Sequence, residues 1–532
     1  MAPRTKIPTK SELVQLQKLY KTDEKIGERL GGVPAYLVAY WRRKKNVPKY
    51  SLPKFSDREI LTLWERYGDD EKCGMELGIS KAAFYNWRRR YDIREKPAFL
   101  KLEQLELIFP GSRISSLSNS LYGEQTIVQK ILTRAAGEDS VKVGSKVKVE
   151  PDLVAVNIGS GEVISEFSKI SQGYVWNVGK IILNESYRHK DSRDNGLSSG
   201  EFIRRQGLKT VYDLREGNYS QVLLEKGHLI PGQFILGSEK GVIAYGCVGA
   251  FAIPVSPEEA ARAWADGEIE IEVPATIQVE LNGRRSRGVS ARDIASAVVA
   301  VLEKNVCTGK VIEFNGLAVS QLSVSERFTL CYMTQLLAAR AAICPHNSTV
   351  RRYLTGRTST GFAPIQPDKN AIYEKTVELN ISEIRPVIYS LKEEIELKTA
   401  QELEGQTVRQ VILGTCANGR FEDLRVAADV LKGNTVHRDC RLFICPASRS
   451  VYLEALKKGL IRMFVESGAI VMNPGSEVAM VHDSSLFSDS ETTLTNSIER
   501  VLGDNVYYCS PATAAASALN AAITDPARYV KR

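Results

Sequence analysis

The chain has 532 residues, too many for one hydrophobic core, so several domains are expected. Apolar residues make up 43% and charged residues 25%, which excludes large-scale disorder. No apolar run approaches the roughly eighteen residues of a membrane span, and M-A-P-R-T-K-I-P-T-K is no secretory signal. The net charge of +8 is unevenly placed. Residues 1–100 carry 22 Lys+Arg against 13 Asp+Glu, and the other 432 carry 49 against 50, so an anionic partner is expected for the first fifth only. Nine cysteines without a C-x-x-C pair point to reduced thiols and a cytoplasmic setting.

The first hundred residues hold one unit twice, Leu19 to Val47 and Arg66 to Ile93. Tyr20, Glu24, Lys25, Gly27, Leu30 and Gly31 recur 47 positions later, and Val33, Trp41, Arg42, Arg43 and Val47 find matches 46 later. Each copy reads as two helices, a glycine-containing turn and a third helix, giving domains at 1–50 and 51–100 joined by Lys49–Phe55. Ser80 is placed to cap the last helix of the second copy. Ala83, Phe84 and Trp87 form its inward stripe, and Leu37, Val38 and Trp41 that of the first copy. Tyr36, Tyr40, Arg42, Arg43, Lys44 and Lys45 are expected outside, as are Lys81, Asn86, Arg88, Arg89 and Arg90. The units resemble homeodomain-like or transposase-type helix-turn-helix modules, which implies double-stranded DNA as partner and these outward residues as its contacts.

From residue 101 to 532 the order of motifs changes the picture. Q-K-I-L-T-R-A-A-G-E-D-S-V-K-V-G is followed by V-Y-D-L-R-E-G-N-Y-S-Q-V-L-L-E-K-G-H-L-I-P-G, A-Y-G-C-V-G-A-F-A-I, V-P-A-T-I-Q-V-E-L-N-G and L-G-T-C-A-N-G-R-F-E-D-L-R, with M-N-P-G and C-S-P-A-T-A-A-A-S-A near the end. This body resembles the large subunit of the aconitase and isopropylmalate dehydratase family. The resemblance implies three α/β/α domains around a cleft, so the fold class expected for the whole chain is α/β, with two small all-α units ahead of the body. Alternation of glycine-punctuated strands with helices such as Ala291–Glu303 and Arg420–Leu431 points the same way. The family's small swivelling domain has no counterpart here, which implies a separate small subunit.

The resemblance also implies a [4Fe–4S] cluster on three cysteines. Cys416 matches the first, but the P-G-C-x-x-C segment reads P-G-S-E-V-A, leaving Ser476 and Ala479 at the other two positions. The family's catalytic histidine segments read Asn184-Glu185, Tyr219-Ser220-Gln221 and Glu239-Lys240-Gly241-Val242, its glutamate after Cys331 reads Leu336, and T-L-T-N-S-I-E-R keeps Arg500 while Thr495 replaces an arginine. From these losses no catalytic residue, no metal and no cofactor are expected, and the body is expected to be inactive. Cys416, Asn418, Arg420, Arg500, Glu239 and Lys240 remain as candidates for holding a small di- or tricarboxylate, because arginine pairs bidentately with carboxylates.

The sequence therefore reads as a cytoplasmic, homo-oligomeric DNA-binding transcriptional regulator whose inactive body senses an anionic metabolite or serves as an oligomerisation platform. Two alternatives stand beside it. One is a hydro-lyase or isomerase acting on a 2-hydroxy di- or tricarboxylate, with Glu185 and Glu239 as acid and base. The other is a structural DNA-coating or mobile-element protein.

Overall fold

The computed structural model describes residues 7–47, 55–67, 69–91, 93, 113–115, 124–157, 160–171, 173–185, 199–391, 395–414, 418–474, 491–497 and 505–530. The chain divides into two units, Met1–Pro97 and Ala98–Arg532. The expected linker segment 49–54 lies outside the described residues.

The first unit is all helical. Helices α1 (Lys10–Tyr20), α2 (Asp23–Arg29) and α3 (Ala35–Lys44) enclose a small core of Leu13, Ile26, Val33, Val38, Trp41 and Val47. Helices α4 (Asp57–Tyr67), α5 (Asp70–Glu76) and α6 (Lys81–Arg90) repeat it around Ile60, Trp64, Cys73 and Phe84. The Ser80 hydroxyl accepts from the Ala83 N–H at 3.3 Å, the cap expected from sequence. Trp41 is buried, whereas Trp87 is only half-buried and Trp64 takes the central place in the second core.

Two arginines expected on the outer face are instead inside. Arg42 is 6% exposed and donates from Nε and Nη2 to both Asp23 carboxylate oxygens at 2.6 and 2.7 Å. Arg88, 7% exposed, grips Asp70 in the same way at 2.9 and 3.1 Å, and its guanidinium lies 3.8 Å from the Trp64 ring centre. The cause is helical geometry: each arginine follows its inward tryptophan by one residue, close enough to the core stripe for its planar fork to reach the first turn of the preceding helix. Their third donors hold the carbonyls of Val47 and Ile93, closing the end of each unit. Lys45 is half-buried and donates to the Pro8 carbonyl at 2.5 Å. Tyr36, Tyr40, Arg43, Lys44, Lys81, Asn86, Arg89 and Arg90 are exposed as expected.

The second unit is built on three largely parallel sheets. The first has the order β5-β4-β3-β6-β7, with β3 at Leu153–Val156, β4 at Ile181–Glu185, β5 at Val211–Asp213, β6 at Phe234–Gly237 and β7 at Phe251–Pro254, all parallel. The second has the order β1-β12-β9-β10-β11, with β1 at Arg113–Ser115, β9 at Thr276–Asn282, β10 at Val311–Asn315, β11 at Ala341–Ile343 and β12 at Lys375–Asn380; only β1 runs antiparallel. A two-stranded ribbon pairs β2 (Lys146–Val149) with β8 (Ile269–Glu272). The third sheet has the order β14-β13-β19-β18-β15-β16-β17. Its parallel part comprises β15 (Gln410–Gly414), β16 (Arg441–Cys445), β17 (Ile470–Val471), β18 (Thr493–Thr495) and β19 (Val506–Cys509), and the antiparallel pair β13 (Val387–Leu391) and β14 (Ile395–Thr399) forms one edge.

Composition decides which helices lie inside. Helix α7 (Ala291–Val301), A-R-D-I-A-S-A-V-V-A-V, is apolar nearly all round and is buried along its whole length. Helix α8 (Val324–Met333) packs beside it and against a 3-10 run, Lys240–Val248, that joins the first two sheets. That run fits only because residue 246 is glycine: a Cβ there would stand 1.7 Å from the Ala342 carbonyl oxygen. In the third sheet, α9 (Phe421–Leu431) and the alanine-rich α10 (Pro511–Asn520) cover β15. No helix among the described residues is long and apolar enough to cross a membrane.

Breaking a buried pair while leaving its partner charged costs about 3–5 kcal/mol. Arg88→Ala in the full chain is therefore expected to abolish hydrogen-exchange protection across α4–α6, with exchange in the body unchanged. Retained protection would show that the clamp does not hold this unit together.

Candidate functional site

Two polar clusters lie inside the second unit, both anchored on α8. The first stands at the carboxyl edge of the first sheet, where adjacent parallel strands leave a crevice. Asn157 follows β3, Glu239 follows β6, and Ser220 comes from the short helix Tyr219–Glu225. The Asn157 Nδ2 donates to Glu239 Oε2 at 2.7 Å, and the Ser220 hydroxyl to Glu239 Oε1 at 3.4 Å. Asn157 and Ser220 are buried, Glu239 is half-buried, and Lys240 beside it is exposed. The Tyr219 hydroxyl is buried without a hydrogen-bond partner among the described residues. Its acidity is suppressed, first by burial and then by the nearby Tyr245 and Glu239.

The second cluster joins the third sheet to α7 and α8. Gly414, at φ +124°, ends β15 so close to β16 that a Cβ would stand 1.9 Å from the Cys445 carbonyl oxygen. Asn496 holds both Gly414 and Asn418: its Oδ1 accepts from Gly414 N at 2.8 Å and its Nδ2 donates to the Asn418 carbonyl at 2.9 Å. Asn418 Nδ2 donates to Thr329 at 3.1 Å and to Asp423 at 3.0 Å. Arg420 donates from Nε to Ser325 at 2.7 Å and from Nη2 to Thr329, and its guanidinium lies 4.6 Å from the Phe328 ring centre. Arg292 Nη2 donates to the Tyr389 hydroxyl at 2.8 Å, and Nη1 reaches Asn418 Oδ1 at 3.4 Å.

Asn418 and Arg420, expected to face a ligand, are each 2% exposed and serve to join sheet and helix. Arg420 Nη1 and Arg292 Nε are buried and unpartnered among the described residues. Cys416 and Arg500, together with Ser476 and Ala479, lie outside the described residues, as does the side chain of Glu185. Arg292, Ser325, Thr329 and Asn157 were missed. The available signal was a lone arginine inside the apolar run of α7, where a buried cation demands polar partners. The two clusters meet along α8. Phe328 stacks on Tyr332 at 5.9 Å, and a Cβ at Gly241 would lie 3.4 Å from Tyr332 and 3.4 Å from Glu239. The third sheet also reaches the first cluster, through Asn218 N to the Ala447 carbonyl at 2.7 Å and the Ser448 hydroxyl to Glu225 at 2.8 Å.

A family model described as "Aconitase family (aconitate hydratase)" matches residues 201–394 and 389–521. The 3-isopropylmalate dehydratase large subunit 1 of Methanopyrus kandleri is 34% identical over 417 residues, 76% of this chain and 100% of that protein. The 3-isopropylmalate dehydratase large subunit of Clostridium kluyveri is 33% identical over 417 residues, 76% of this chain and 99% of that protein. The crystal structure of Thermococcus kodakaraensis aconitase X (holo-form) aligns at TM-score 0.38 and 12% identity, over 70% of this chain and 89% of that one, too loosely to support any comparison.

These relatives overturn three expectations. The expectation of a DNA-binding regulator gives way to relatives that are named dehydratase large subunits, and the expectation of an inactive body to a match with a family of enzymes. The expectation of no cofactor conflicts with the family's enzymes, which carry a [4Fe–4S] cluster. The donor set does not fit a cluster held by three cysteines in the positions set out above, since Ser476 and Ala479 provide no thiolate. Among the described residues no three His, Cys, Asp or Glu side chains converge to hold a metal.

Beside Arg292, Asp293 is buried and accepts from Val387 N at 3.0 Å, and burial pushes its carboxyl up to about 6. A carboxyl raised by the fold is neutral in the native state where the unfolded chain has already lost its proton. Its contribution to stability is therefore full below about pH 4 and falls as pH rises to about 6. Asp293→Asn is expected to flatten that fall; parallel melting curves for parent and variant across pH 4 to 7 would show that Asp293 does not titrate in this window.

Proposed function

This chain belongs to the aconitase family, and from that premise we propose that it is a hydro-lyase acting on a 2-hydroxy di- or tricarboxylate. The observation that carries this reading is length: the body covers the whole of a dehydratase large subunit at 34% identity. Isopropylmalate is the substrate to try first, because it is what those relatives are named for. The carboxyl edge of the first sheet supports the reading, with a half-buried carboxylate held where adjacent parallel strands end. Lys240, exposed at the same edge, is a cation suited to a substrate carboxylate.

The relatives are large subunits by name, and the partner we propose is a small subunit bringing the swivelling domain. Absence of a membrane-spanning helix among the described residues accords with a cytoplasmic setting.

The full chain, prepared without oxygen and mixed with such a small subunit, is expected to convert 3-isopropylmalate to its unsaturated acid, read as ultraviolet absorbance. Iron and sulfide content measured on the same sample reports the cofactor. No conversion of 3-isopropylmalate, citrate or other 2-hydroxy di- and tricarboxylates would refute the reading.

A further inference from the structure

We propose that Cys331 and Cys344 form a redox-sensitive dithiol, which hydrogen peroxide converts to a disulfide tying α8 to the edge of the second sheet. The inference goes beyond the hydro-lyase reading and does not rest on it. One thiol stands on α8 and the other directly after the edge strand β11, 13 residues later in the chain. Their Sγ atoms lie 3.7 Å apart, and both side chains are fully buried. A disulfide bond is about 2.05 Å long, so the sulfurs already touch and need a shift of under about 2 Å to join. Both elements are held where they are. Cys344 N donates to the Gly246 carbonyl at 2.9 Å, and Arg327, one turn before Cys331 on α8, donates to the Pro345 carbonyl at 2.8 Å.

A buried cation separates this pair from two small apolar side chains in contact. Arg327 is 1% exposed, and besides Pro345 its guanidinium donates to the carbonyls of Leu322 and Val319 at 3.3 and 3.0 Å. These acceptors are dipoles, so its positive charge is left to act on the thiols beside it. Burial opposes a Cys344 thiolate, and so does Glu313. The hydrogen bond from Cys331 and the charge of Arg327 outweigh them and bring the Cys344 thiol below its ordinary value. Burial holds the Cys331 thiol well above its own. A third buried thiol, Cys247, is kept protonated by burial and then by neighbouring Cys344. The pair thus contains one sulfur favoured as nucleophile and one that keeps its proton, the division that thiol oxidation uses.

The Cys344 sulfur attacks one oxygen of hydrogen peroxide. The O–O bond breaks with its pair on the departing hydroxide, and Cys344 becomes a sulfenic acid. The Cys331 sulfur then attacks the Cys344 sulfur, the S–O bond breaks, and its hydroxyl leaves as water with the Cys331 proton. Hydroxide takes up the proton that Cys344 released. Two thiols lose two electrons and two protons, and peroxide gains both to give two waters. Peroxide is little larger than water, which suits thiols closed to bulky disulfide reagents. Because α8 also carries Ser325, Thr329 and Tyr332, the new bond fixes the helix on which both polar clusters rest.

The test treats the full chain with hydrogen peroxide, alkylates the remaining thiols and digests without reductant. Two of the nine thiols should disappear, and mass spectrometry should find one linked pair of peptides bearing Cys331 and Cys344. Dithiothreitol should restore both thiols. Amide hydrogen exchange across α8 should slow in the oxidised protein and return on reduction. Cys344→Ser should abolish the link, whereas Cys247→Ser should leave it in place. Nine thiols surviving peroxide, or a disulfide drawn from other cysteines, would overturn the inference. A linked protein whose α8 exchanges as before would overturn the tie to that helix. If a serine variant does not fold, the peptide masses of the parent decide alone.

Discussion

The burial of one guanidinium constrains much of the body. Arg420 is 2% exposed, and a cation taken out of water must find partners or carry a cost of several kcal/mol. It finds Ser325 and Thr329 on α8 and Asp423 on its own helix. Meeting that demand fixes α8 against the end of β15. Because α8 also carries Phe328 and Tyr332, the same contact sets the wall on which Gly241 and Glu239 rest. The position of a carboxylate in the first sheet thus depends on a cation in the third.

The two clusters divide the work. Around Arg292 and Arg420 the partners are mostly hydroxyls and amides, and Asp423 is pushed up by burial despite its arginine neighbour. Such a network is rigid and specific in a low-dielectric interior, where each unmet group is costly. Around Glu239 the partners are an amide and a hydroxyl, and the carboxylate itself is half-buried.

Fold class was legible from sequence, because glycine-punctuated aliphatic strands alternate with helices through the body and because the motifs fall in family order. Glu239 was singled out from its place in a family segment, and it stands two residues after strand β6. What it touches was not legible: Asn157 and Ser220 are 82 and 19 residues away, and only the strand order brings them together. Arg420 was readable as a functional cation but not as a buried one, since the hydroxyls that receive it lie on a helix about ninety residues earlier. The residues at Ser476, Ala479 and the histidine positions were taken as an end to enzymatic function, which membership of an enzyme family contradicts, because absent groups say nothing about which others act.

The N-terminal clamps bear on how this unit is to be dissected. In W-R-R-K and W-R-R-R, neighbouring arginines belong to different physical worlds: Arg42 and Arg88 are interior struts, whereas Arg43 and Arg89 project into water. An alanine scan along either run would therefore switch from reporting folding to reporting surface charge between its first arginine and the next residue. Only the outward set is free to drift in sequence without unfolding its unit. The duplication thus fixes one arginine per copy for architecture and leaves the other open to whatever the two copies separately encounter.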